Sequence, residues 1–298
     1  MTRHPMFGIA LAVFGTLVLT PDTMFMRWSG MGGFEMVAWR GLLMGTAMLV
    51  IWAVLSRDRR GDLLMLGSGF GLTIVVCQFF NATLFGLGVS IAPVAVVLFG
   101  LATVPVFSAI LAWLILGEPT RRATWVTIAA VMTGIGIAVF SGDKGQIGLD
   151  RDSLYGALFG LGTALVLALN FVVMRRRPQL PILLVIGVGA LLAGGSAMGV
   201  AGGPQAMMTG TVWAIAVTGL VILPVSFFTL SLASRYTHAS NVSLLLLLET
   251  VLGPVWVWAG TGEAPTPMMI LGGAIVVGSL ALYILWTGRR SGARVGAA

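Results

Sequence analysis

Apolar runs of roughly twenty residues, separated by short polar breaks, follow one another along the whole chain. A bilayer core about 30 Å thick asks for roughly 20 apolar residues per helix. Ten segments meet that demand: 6–27, 34–55, 63–87, 92–116, 123–141, 154–174, 181–201, 211–234, 239–260 and 267–287. The pattern predicts an all-α polytopic membrane protein of ten transmembrane helices, with no stretch left for a separate soluble domain. The first segment carries Pro21, Asp22 and Arg27 near its end and lacks a small-residue cleavage site, so it reads as a retained helix.

Composition agrees, since 58% of the residues are hydrophobic and only 9% charged, with a mean hydropathy of +1.01, outside the range of soluble domains. A net charge of +7 would suggest nucleic acid in a soluble chain. Here the arginines lie between apolar segments, where charge reports topology, so no nucleic-acid role follows. Thirteen of them, Arg3, Arg57, Arg59, Arg60, Arg121, Arg122, Arg175, Arg176, Arg177, Arg235, Arg289, Arg290 and Arg294, fall on the side of both termini. The opposite loops hold only Lys144 and Arg151, which predicts cytoplasmic termini. Sixteen arginines against one lysine suggest a GC-rich bacterial genome, hence the bacterial inner membrane. The tryptophans fall near predicted helix ends, as an interfacial belt requires. Cys77, the single cysteine, can form no internal disulfide and has no thiol partner for a metal site.

"GEPT" at 117–120 and "GEAPT" at 262–266 stand 145 residues apart, each after a proline-bearing helix and before a Gly-rich one. The chain therefore divides into a first five-helix repeat, 1–141, an inter-repeat loop, 142–153, and a second five-helix repeat with a short cytoplasmic tail, 154–298. An odd number of spans per repeat inserts the second copy upside down, an arrangement common to secondary transporters. The stretches "ASNVSLLLLLETVLGPVWVWAGTGEAPT" and "SIAPVAVVLFGLATVPVFSAILAWLILGEPT", with "WRGLL" at 39–43, resemble the repeats of EamA-type carriers of the drug/metabolite transporter superfamily. The resemblance extends over nearly all ten spans. It implies a ten-helix carrier of small metabolites, often working outward.

Polar residues inside the spans are the candidate chemistry, because charges at the bilayer centre are costly and functional by default. Glu249 lies roughly 15 Å along the ninth span, close to the midplane. Asp22 and Arg40 reach similar depths, so Asp22 can pair with Arg40 or with Arg27. Gln78 and Asn81, three apart, share a helical face in the same half of the membrane. Asn170 occupies the place in the second half that Asp22 has in the first. Pro105 and Pro254 are expected to interrupt the fourth and ninth helices, and Pro21 and Pro224 the first and eighth. Freed carbonyls beside Glu249 would suit a cation, an ammonium group or an exchangeable proton, whereas a permanently protonated, hydrogen-bonded Glu249 would be purely structural. Glu118 and Glu263 read as helix-boundary residues. Small residues four apart, at Gly41 with Gly45, Gly156 with Gly160 and Gly195 with Gly199, predict close helix packing.

These features point to a secondary active transporter, and to an exporter, of small metabolites working by alternating access in the lipid bilayer, with a proton gradient coupled through Glu249. A passive channel or a non-catalytic membrane scaffold is the alternative. The chain has no HExxH pair, GxSxG elbow or Cys/His arrangement, which argues against an enzyme or a metal site. It has no phosphate-binding loop for ATP, and no cofactor is expected.

Overall fold

The computed structural model describes residues 5–92, 94–120, 122–140, 151–261, 267, 270–272 and 274–283. Regular structure among these residues is entirely helical. Among the described residues, seven helices are long and apolar enough to cross a membrane: Met6–Ser29, Gly33–Leu55, Gly69–Ile91, Leu154–Arg176, Ile182–Val200, Val212–Tyr236 and Ala239–Gly260. Three shorter apolar helices among the described residues, Val104–Leu116, Arg122–Ile135 and Ile270–Tyr283, overlap the other predicted segments. The 142–150 part of the inter-repeat loop, the second "GEAPT" with Glu263, and the termini lie outside the described residues.

Interruptions divide several of these rods. The first consists of α1 (Pro5–Leu19) and α2 (Asp22–Ser29). It is followed by α3 (Gly33–Leu55), α4 (Arg59–Leu66), α5 (Gly69–Ile91), α6 (Val94–Leu101), α7 (Val104–Leu116) and α8 (Arg122–Phe140). Then come α9 (Arg151–Arg176), α10 (Ile182–Val200), α11 (Val212–Val217), a π turn (Thr218–Ile222) and α12 (Leu223–Tyr236). The chain continues through α13 (Ala239–Leu246), α14 (Leu248–Thr261) and α15 (Ile270–Tyr283). The third segment, expected at 63–87, is corrected to Gly69–Ile91. Residues 59–66 form the separate α4, and Ser68 starts α5 by accepting the Gly71 N–H at 3.1 Å.

The main seams join early helices to late ones: α3 packs on α10, α1 on α12, α5 on α9, and α7 on α13. Small residues make the α3–α10 seam possible. A Cβ on Gly41 would lie 2.6 Å from the Ala190 carbonyl oxygen, and one on Gly194 would lie 2.4 Å from the Leu42 nitrogen. Gly156 and Gly160 likewise sit against Ala92, Val97 and Gly100. The expectation for Gly195 and Gly199 is wrong, since among the described residues nothing lies within 4 Å of a Cβ at either. They are on the outward face of α10, and the neighbouring Gly194 makes the approach. Gly194→Leu is therefore expected to force α3 and α10 apart and cost about 1–3 kcal/mol. Gly195→Leu should leave melting in detergent unchanged.

The apolar core runs through these seams, with Phe171, Met174, Ile186, Leu230 and Leu245 fully buried. Large apolar side chains also cover the outside, with Val54, Leu64 and Leu282 at least 70% exposed. Such a surface suits lipid rather than water.

Candidate functional site

The polar residues converge where the long helices are interrupted. Pro21 cannot donate a backbone hydrogen bond, and α1 ends just before it. The Thr20 hydroxyl turns back to the Leu17 carbonyl at 2.8 Å and also accepts the Trp256 indole N–H at 2.8 Å. Asp22 is consequently the first residue of α2, where the positive end of the helix dipole favours a carboxylate.

The ninth helix breaks in a related way but not at its proline. Pro254 lies inside α14, which continues through it, and the interruption falls at Leu247. There the Leu247 N–H turns to Leu244 O, at 3.2 Å, and Leu245 O, while Thr250 donates its N–H and its hydroxyl to Leu247 O, at 3.2 and 2.7 Å. The expected break at Pro254 is thus corrected to Leu247. Glu249 becomes a first-turn residue of α14, with the same favourable dipole that Asp22 enjoys.

Pro105 is the second residue of α7, just after the turn at Ala102 and Thr103, and the Thr103 hydroxyl donates to Gly100 O at 2.6 Å. Pro224 is the second residue of α12 and follows the π turn, where the Thr218 hydroxyl donates to Ile215 O at 2.9 Å. Every one of these interruptions carries a threonine bonding three residues back. That was the signal available in sequence for locating the break near Thr250.

Asp22 and Arg40 form an ion pair at 2.8 Å, with Asp22 1% and Arg40 12% exposed. Arg27 takes no part in it. The Arg40 guanidinium also lies 5.9 Å from the centre of the Phe85 ring. Asp22, Arg40, Gln78, Asn81 and Glu249 all line one cavity of about 60 Å³, space for several water molecules. Among the described residues, the buried atoms Asp22 Oδ1, Arg40 Nη1 and Gln78 Oε1 have no hydrogen-bond partner. Gln78 Nε2 points at Met44 Sδ, 3.9 Å away.

Asn170 does not line this cavity. It sits on α9 one turn beyond Leu167, fully buried, with Oδ1 unpartnered. Thr163 and Leu167 supply the α9 wall instead, and Phe85 and Phe227 add aromatic surface, none of which the sequence singled out. Among the described residues, no group of three His, Cys, Asp or Glu side chains could hold a metal.

Further along α9 from the cavity wall, Phe171 and Met174 are packed in the apolar core, and Arg175 then enters an ionic cluster. Gly117, at φ 66°, ends α7 in the left-handed conformation and turns Glu118 back across the helix end. Arg175 clasps Glu118 through Nε, at 2.9 and 3.1 Å, and through Nη2, at 2.8 Å. His238 Nδ1 lies 2.8 Å from Glu118 Oε2, and Arg175 Nη1 donates to Thr237 O at 2.9 Å. A buried chain continues from Thr237 through Asn241 to Tyr283 and Thr124. Glu118 stands at the end of α7, as expected of a helix-boundary residue, and is in addition the centre of a clasp joining three separate parts of the chain.

Burial pushes the Glu118 carboxyl up, but the hydrogen bonds and charges of Arg175 and His238 outweigh it and hold it below the usual carboxylate range. A lowered folded pKa gives stabilisation that is present above the ordinary value of about 4.3 and is lost as pH falls through the folded one. Wild type should exceed Glu118→Gln by about 1 kcal/mol at pH 6 for this partly exposed cluster. The gap should shrink in melts taken towards pH 3.

Residues 6–140 match the EamA-like transporter family. The chain is 25% identical over 269 residues to the uncharacterized transporter YdfC of Bacillus subtilis (strain 168), covering 86% of this chain and 84% of that one. A solved crystal structure at 17% identity shares the fold, with a TM-score of 0.77 over 95% of this chain and 98% of its own. A cavity of buried polar groups inside an apolar helical body thus stands in a chain whose residues 6–140 are similar to the EamA-like transporter family.

Proposed function

We propose that the protein is a secondary carrier that moves a small metabolite, and moves it outward, by alternating access, with Glu249 as the group that exchanges a proton or contacts the substrate. The observation that carries this reading is a buried carboxylate in the first turn of a broken helix, facing a cavity built by both halves of the chain. Half-helix termini at mid-membrane are the usual means of binding a charged solute away from water.

The reading includes ten spans in two oppositely inserted halves, 1–141 and 154–298, with both termini at the cytoplasmic face of a bacterial inner membrane. Two features support it. The turn at Ala102 and the one at Leu247 stand 145 residues apart, the same interval as the "GEPT" and "GEAPT" stretches. The seams also exchange in pairs: α1 against α12 answers α5 against α9, as a two-fold relation between halves requires. The Glu118 clasp then shuts the cytoplasmic end in this state, and rocking about the glycine seams opens it.

Counterflow in proteoliposomes tests the proposal: internal unlabelled solute should accelerate uptake of the same labelled solute, with saturation. A conductance that never saturates would make the protein a channel.

A further inference from the structure

We infer that the central cavity selects small amphipathic ammonium compounds, a cationic head on an apolar body, over the corresponding carboxylates and amino acids. This rests on the transport reading only for what happens after binding.

Three ionisable side chains, Asp22, Arg40 and Glu249, line the cavity, and the first two are paired with each other. Arg40 gives Nη2 to Asp22 Oδ2 at 2.8 Å, and Asp22 is anchored by its place at the start of α2. An anionic ligand would have to take Arg40 from a carboxylate that is 1% exposed, beside the further carboxylate of Glu249. Among the described residues Glu249 has no salt bridge of its own.

The inventory of unmet hydrogen-bonding atoms leans the same way. In the cavity wall, Asp22 Oδ1 and Gln78 Oε1 are buried acceptors that find no donor among the described residues, against one such donor, Arg40 Nη1. An ammonium group brings three donors and no acceptor, so it supplies what the walls lack. A carboxylate brings only acceptors and adds to the surplus. Apart from the neutral Asn81 and Thr163, the remaining lining, including Met44, Phe85, Leu167, Phe227 and Leu246, is apolar and offers no counter-charge for a second charged group.

Three ligands with one alkyl body separate the possibilities: 3-methylbutylamine, 4-methylpentanoate and leucine, each measured for saturable binding to the purified protein in nanodiscs. The amine is expected to bind about tenfold or more tighter than the other two, the worth of one charge-assisted hydrogen bond. Glu249→Gln should remove that preference. Equal or tighter binding of the acid or of leucine overturns the inference while leaving the carrier intact, and so does no binding of the amine. The comparison among wild-type ligands stands even where the variant fails to fold. Counterflow of the same amine is read separately: selective binding without counterflow keeps the site assignment and removes the carrier.

Discussion

Arg40→Met is expected to destabilise the protein by about 3–5 kcal/mol, because it leaves a buried carboxylate without its counter-charge. Asp22 is 1% exposed and Arg40 is its ion-pair partner, so the orphaned charge can be relieved only by taking up a proton or by opening the helices to water. Met preserves much of the aliphatic stem that lies beside Phe85, and the loss is therefore chiefly electrostatic. Adding Asp22→Asn to Arg40→Met should restore most of the stability, since removing both partners costs far less than removing one. Exchanging the two charges should recover less than that, because an arginine at position 22 would face the positive end of α2. Melting in detergent, with the monodisperse fraction on size exclusion, reads all four proteins. A double variant no more stable than Arg40→Met would mean that the pair does not govern the fold here.

Sequence disclosed those features that lipid itself dictates. The seven long spans were legible because each must hide its backbone and present apolar side chains, and Asp22 and Arg40 were legible as partners because their depths agree. Position along the chain did not disclose which face a residue occupies. Gly41 with Gly45 and Gly195 with Gly199 have the same spacing, yet only the first pair meets another helix. In a chain with forty-one glycines that spacing arises often without a seam. The break at Leu247 was hidden for another reason: leucine favours a helix, so the run "LLLLLET" reads as unbroken. The turn there is set by tertiary packing against α8 and α15 and by the Thr250 hydroxyl. Glu118 was hidden because its partners, Arg175 and His238, are 57 and 120 residues away. Its own surroundings look like a simple turn.

Glu249→Gln is expected to separate stability from function. The amide has nearly the shape of the acid, and it removes a charge that is expensive to hold in a membrane interior. The variant should therefore fold and melt at least as well as wild type. Transport against a gradient should nevertheless collapse. If the carboxylate must alternately bind and release a proton as the cavity changes sides, an amide cannot do so, and about a tenfold or greater loss of pH-driven uptake follows from losing a mechanism's proton-transfer group. Downhill exchange of a neutral solute should survive in the variant with a flat pH profile, because the helices can still rock about their seams. The diagnostic is the difference between two curves, rate against pH for wild type and for Glu249→Gln in the same vesicles. Parallel curves would assign the pH response to another group, and Glu249 would then be a polar wall residue whose dipole-supported position in α14 serves only to tolerate it.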